Sequence, residues 1–193
     1  MSKILENLHR TLAAGVVLAV VVFLIVNLQT FDGAAYWPTL VKWIHVWFGI
    51  LWIGLLYYFN FVQIPSMPKI PDEQKPAVSK VIAPNALFWF RWGAMATIVT
   101  GLLLAWMNGY IGQAISLQKP FAAIGVGMWL AAIMWFNVWF IIWPNQKKVL
   151  GIVTVGAEEK AAAAKKAGFA SRLNTMLSIP MLFCMVAQQN GGF

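Results

Sequence analysis

Apolar residues run along this chain in five long blocks, at about 11–28, 36–63, 86–107, 120–143 and 173–187, and nearly every charge sits in the gaps between them. Roughly 20 apolar residues carry a helix across a bilayer. Lipid offers no partner for a free N–H or C=O, so each block predicts a helix that satisfies its own backbone. The expected fold is all-α: an integral membrane bundle of five transmembrane helices, read as a single membrane domain over residues 1–193. The last block is the shortest, and Pro180 interrupts it. The first has the basic start of a signal peptide, but it is too long and no A-x-A pattern follows it, so it reads as a membrane helix.

Composition and charge sharpen this picture. The chain is 61% hydrophobic and 10% charged, whereas a soluble domain carries about 25% charged residues. Lys3 and Arg10 precede the first block. Lys69, Lys75, Lys80 and Arg91 fall between or at the edge of the second and third. Lys147, Lys148, Lys160, Lys165, Lys166 and Arg172 fall between the fourth and fifth. These all lie on one side, leaving only Lys42 and Lys119 on the other. The positive-inside rule then predicts a cytoplasmic N-terminus and an exported C-terminus. A net charge of +8 distributed this way faces anionic headgroups rather than nucleic acid. The lone Cys184 excludes an internal disulfide and a CxxCH haem-attachment motif.

Local features divide the chain further. The second block exceeds the thickness of a bilayer and must tilt or project. Its inner end, Tyr57 to Gln63, meets Pro65, Pro68 and Pro71, which predict the end of the helix and an extended path. Asp72 to Ala83 reads as a short interfacial helix. Gly93, Thr97 and Gly101 recur every four residues, a small-residue stripe that lets a second helix approach closely. Trp135, Trp139 and Trp143 share one face of the fourth block, and Pro144 is expected to stop it. In the largest loop, 145–171, the stretch Ala157 to Gly168 predicts a solvated or interfacial helix. The tail from Gln188 to Phe193 is polar and glycine-rich, and is expected to be loose.

At about 1.5 Å of rise per residue, polar side chains in or at the ends of four blocks reach one depth near the inner face: Asn60 and Gln63, Arg91, Asn137, Asn145 and Gln146, then Arg172, Asn174 and Ser178. Arg91, flanked by Phe88, Trp89, Phe90 and Trp92, is either a snorkelling anchor on phosphates or a buried cation. No acidic residue lies inside any block, so a buried Arg91 takes an amide, a carbonyl or an anionic ligand as partner. The same lack argues against a carboxylate proton relay. In the outer half, His45 is the single intramembrane histidine, either a haem-iron ligand or the partner of a neighbouring carbonyl. Met128 lies about as deep as His45, which makes it a candidate sixth ligand as well as a candidate core methionine; a five-coordinate haem is equally allowed. No GxGxxG, P-loop, HExxH, CxxC or Ser/His/Asp set is present.

Four stretches resemble the urate oxidase N-terminal-domain family, the membrane part of the bacterial cytochrome c-linked urate hydroxylases. They are His45 to Gln63, Phe90-Arg91-Trp92-Gly93-Ala94, Asn137-Val138-Trp139 with Ile142 to Gln146, and Arg172-Leu173-Asn174 with Ser178-Ile179-Pro180. The resemblance implies a membrane-embedded oxidoreductase module in the inner membrane of a bacterium. His45 would be the ligand of a haem b. Asn60, Gln63, Arg91, Asn137, Gln146, Arg172 and Asn174 would form a polar site. The family joins its membrane part to a C-terminal cytochrome c domain, which is not found within these 193 residues. The resemblance therefore implies electron transfer to a separate cytochrome c, to a quinone or to a larger membrane complex. A second reading is a non-catalytic accessory subunit of a respiratory or oxygenase complex, its small-residue faces and exposed aromatics serving helix docking.

Overall fold

The computed structural model of the chain describes residues 2–27 and 33–189, and every regular element among them is helical. Five helical stretches are long and apolar enough to cross a membrane: Leu8–Val26, Tyr36–Lys69, Ala77–Met107, Ala122–Val149 and Ala157–Gln188. By its contacts the chain divides into two compact units, residues 1–37 and 38–193.

In the first unit a short helix α1 (Ser2–Leu5) leads into α2 (Leu8–Asn27). Asn7 caps α2, its Oδ1 accepting from the Arg10 N–H at 3.2 Å. Thr11 Oγ1 donates back to the Ile4 and Asn7 carbonyls at 3.0 Å each. The Phe23 ring meets Tyr36 edge-on at 4.9 Å. The apolar window of α2 has no buried residue.

The second unit is built on α3 (Gly33–Tyr57), α5 (Ala83–Met107), α7 (Ala122–Phe136) and α9 (Ala157–Gln189). The predicted stripe on α5 meets α3 in antiparallel register. A side chain at Gly93 would lie 3.5 Å from the Trp52 backbone nitrogen, Gly49 faces Thr97, and Gly101 faces His45. On the next interface Gly127 of α7 lies against Cys184 and Met181 of α9. The core between these helices includes Trp52, Leu56, Phe90, Met134, Val138 and Met181.

Prolines shape the helices differently from the sequence expectation. Pro65, Pro84 and Pro144 do not stop them. Each sits two residues beyond a π-helical turn: Tyr58–Gln63, Ala77–Ile82 and Asn137–Ile142. A proline ring clashes with the carbonyl four residues back and has no N–H to give; the widened turn makes room for it. Helix then resumes as α4 (Ile64–Ser66), α5 and α8 (Trp143–Val149). The expected extended path after Gln63 shrinks to a helical step through Lys69, with extended backbone at Ile70. The interfacial helix expected over 72–83 becomes a turn and a π-helical lead-in to α5. Asp72 and Lys75 clasp that turn at 2.6 Å, and the ammonium holds the exposed Asp72 carboxyl below its usual range.

The fifth block is longer than expected. The α9 helix runs unbroken through Pro180 for 33 residues and takes in the stretch expected to be a separate helix. That stretch is not solvated all round: Ala163 and Ala167 are buried, with α8 packed against α9. Gln188 and Gln189 belong to the helix; the rest of the expected loose tail lies outside the described residues.

Between α5 and α7, α6 (Ile111–Ile115) folds back onto α7. Tyr110 stacks on Phe121 at 4.9 Å, and its partial burial raises the phenol above its usual range. The Trp129 indole donates to the Ile115 carbonyl at 3.1 Å.

Candidate functional site

The polar residues at the basic end separate into three groups. The first is a clasp between helices. Asn137 Nδ2 donates to Asn174 Oδ1 at 2.8 Å, and Asn174 Nδ2 donates to the Met134 carbonyl at 2.9 Å. Asn174 is fully buried. Met134 lies one turn before the π-helical turn Asn137–Ile142, where the helical ladder changes step, and its carbonyl has capacity for a second donor. One turn further, Asn60 Nδ2 joins Ser171 Oγ (2.8 Å) and the Leu56 carbonyl (2.9 Å). Further from the basic end, Tyr57 OH and Ser178 Oγ are 2.9 Å apart. Ser171, Asn174 and Ser178 follow at helical spacing and are all buried. Their amides and hydroxyls are taken up in joining α9 to α3 and α7.

The second group borders a cavity of about 50 Å³ between the π-helical turn Tyr58–Gln63, the first half of α5, the junction of the turn Asn137–Ile142 with α8, and α9. Gln63, Gln146 and Ser171 supply its polar lining among Phe59, Leu87, Phe90 and Ile142. Gln63 Oε1 is buried without a hydrogen-bond donor. A cavity of this size holds a few waters; drug-sized ligands occupy roughly 300 Å³ or more.

Arg91 forms the third group. Its guanidinium carbon lies 3.2 Å from the centre of the Trp143 ring and 6.0 Å from that of Trp139. Planar guanidinium and indole attract through charge and ring quadrupole. Arg91 Nε and Nη1 and Trp139 Nε1 are all buried with no acceptor. Guanidinium and indole only donate, so this corner has donors in excess. Arg172, by contrast, is exposed. The residues expected to form one polar set are therefore a clasp (Asn60, Asn137, Asn174), a cavity pair (Gln63, Gln146), a stacked cation (Arg91) and an exposed one (Arg172).

His45 sits apart from these, between α3 and α5. Its Nδ1 is 2.9 Å from the Thr97 carbonyl and 3.2 Å from Thr100 Oγ1. A carbonyl only accepts, so Nδ1 carries the proton and the neutral ring keeps its lone pair on Nε2. Gly101 makes room for this ring, since a Cβ there would stand 2.8 Å from Cε1. Met128 lines a shallow apolar groove with Leu102, Ile115, Trp129 and Ala132, while His45 meets Thr97, Thr100 and Gly101. Groups of three or more His, Cys, Asp or Glu able to hold a metal ion are lacking among the described residues.

Thr97, Ser171, Tyr57 and Trp143 carry much of this chemistry but were not among the sequence candidates for the site. The signal for Ser171 was present: with Asn174 and Ser178 it makes a polar stripe at helical spacing on an apolar helix.

Comparison with curated proteins and with solved structures gives no match. Comparison with family models gives one, and its bounds take in Met128, Asn137, Gln146, Arg172 and Asn174 while His45, Asn60, Gln63 and Arg91 fall outside them. Over residues 110–191 the chain matches the family described as urate oxidase N-terminal, the family its motifs resemble.

Proposed function

We propose that this chain is a membrane-embedded redox module of the urate hydroxylase type, in the inner membrane of a bacterium, holding haem b at His45 and passing electrons to a cytochrome c or a quinone. In this reading its basic end faces the cytoplasm, an orientation that the distribution of Lys and Arg supports. The observation that carries the reading is the state of His45. An imidazole whose Nδ1–H is tied to a backbone carbonyl offers Nε2 as a ligand of fixed orientation, the arrangement typical of metal-bound histidine. His45 alone serves a five-coordinate haem iron, and Met128, which lines an apolar groove, is the candidate for a sixth ligand. When bound, haem b supplies a one-electron redox centre. The residues of this chain hold the ring in place: Thr97 fixes the tautomer, and Gly101 leaves the space in which the imidazole lies.

The test is an absorbance spectrum of the solubilised native protein, oxidised and dithionite-reduced. A Soret band that shifts on reduction is expected, lost in His45→Ala and weakened in Gly101→Ala, whose methyl pushes the ring from its position. Folded protein without a Soret band would overturn the haem assignment. If that protein also co-purified in fixed ratio with a larger complex, the accessory-subunit reading would replace it. Urate turnover with added cytochrome c tests the activity separately.

A further inference from the structure

We propose that Arg91, Trp139, Trp143 and Lys147 form a phosphate site at the basic end of the bundle, occupied by the headgroup of an anionic phospholipid. The argument starts from unbalanced donors. Arg91 Nε and Nη1 and Trp139 Nε1 are buried without an acceptor, and a buried donor left unpaired is costly, more so when charged. Lys147 Nζ lies 5.9 Å from the Trp143 ring on which Arg91 stacks at 3.2 Å, so two cations share one indole. Lys75 pairs with Asp72 and Lys148 with Glu159, and neither Arg91 nor Lys147 has an acidic partner among the described residues. The corner thus lacks an anion with several acceptor oxygens, and phosphate supplies it through charge-assisted bonds.

Depth selects the source of that phosphate. Trp143 lies toward the basic end of the stretch Ala122–Val149, and Arg91, near the middle of the longer stretch Ala77–Met107, reaches that level by stacking on its ring. An indole and a snorkelling guanidinium at that level meet the interface, where tryptophan rings and lipid phosphates both reside. The positive charge of the same end draws anionic lipid to that leaflet. A small soluble anion offers the same oxygens but no acyl chains to hold it at this depth.

Native mass spectrometry of the full chain released from nanodiscs tests the site. With mixed phosphatidylglycerol and phosphatidylcholine, one tightly retained phosphatidylglycerol per chain is expected. Arg91→Gln should weaken its retention about tenfold or more, as loss of a charged contact does. Lys147→Gln, on a half-exposed side chain, and Trp139→Phe, which keeps the ring and removes only the N–H, should weaken it less while leaving the fold intact. Equal retention of the two lipids, or unchanged retention in Arg91→Gln, would overturn the proposal. So would inorganic phosphate occupying the site in nanodiscs of phosphatidylcholine alone and displacing phosphatidylglycerol from the mixed ones, because the ligand would then be a free anion.

Discussion

Gly125→Ala is expected to destabilise the folded protein by about 3 kcal/mol, the upper end of the range for overpacking. A Cβ at this position would collide with the Ala114 carbonyl oxygen and stand 2.9 Å from its carbonyl carbon. Both are backbone atoms, which cannot swing aside like a side chain. Ala114 is itself fully buried, so α6 would have to lift off α7 as a unit, taking with it the bond from Trp129 to the Ile115 carbonyl. Thermal unfolding in detergent, followed by near-ultraviolet dichroism, measures the loss. Gly112→Ala serves as control, because nothing lies within 4 Å of the position its side chain would take. Equal melting of the Gly125→Ala and Gly112→Ala proteins would mean that α6 is not seated on α7.

The five helices long and apolar enough to cross a membrane are legible in the sequence because hydrocarbon imposes one rule on every backbone group, and a run of 20 apolar residues satisfies it only as helix. The stripe of Gly93, Thr97 and Gly101 was also legible, since small residues at helical spacing mark a close helix contact, and here it faces Trp52, Gly49 and His45. The helix ends were not. Proline has two outcomes inside a helix, and Pro65, Pro84 and Pro144 each take the one in which the preceding turn widens. Asn85 and Asn145, each directly after a proline, donate to the Val81 and Ile141 carbonyls four residues back. Those side chains help the helix to continue through a position that loses a backbone N–H. Depth along the helix also placed the polar residues at one end without saying which way they point. Asn137 and Arg172 both belong to that level, yet Asn137 turns into the core and Arg172 away from it.

Asn174→Leu is expected to cost about 2 kcal/mol and to separate structural from functional roles in the clasp. Leucine is close in size to asparagine but gives neither the acceptor for Asn137 Nδ2 nor the donor for the Met134 carbonyl. Each polar group stranded in a buried site costs about 1–3 kcal/mol, while interhelical bonds in membranes average about 0.6 kcal/mol; the sum of two stranded groups lies between these limits. Asn137→Leu should cost less, because Asn174 retains its bond to Met134. In the double variant Asn137 no longer strands an amide, so the combined loss should fall short of the sum of the two single losses by about 1 kcal/mol, a coupling typical of directly bonded neighbours. A double-mutant cycle of unfolding in mixed micelles gives that number; additive losses would show that the two amides do not bond. The absorbance spectrum of the same variants carries the functional half of the test. Because the clasp and His45 share no hydrogen bond, haem content per folded chain should match the parent even as the melting point falls. If haem were lost from protein that remains folded, the clasp would be part of the cofactor site and not only the joint between α7 and α9.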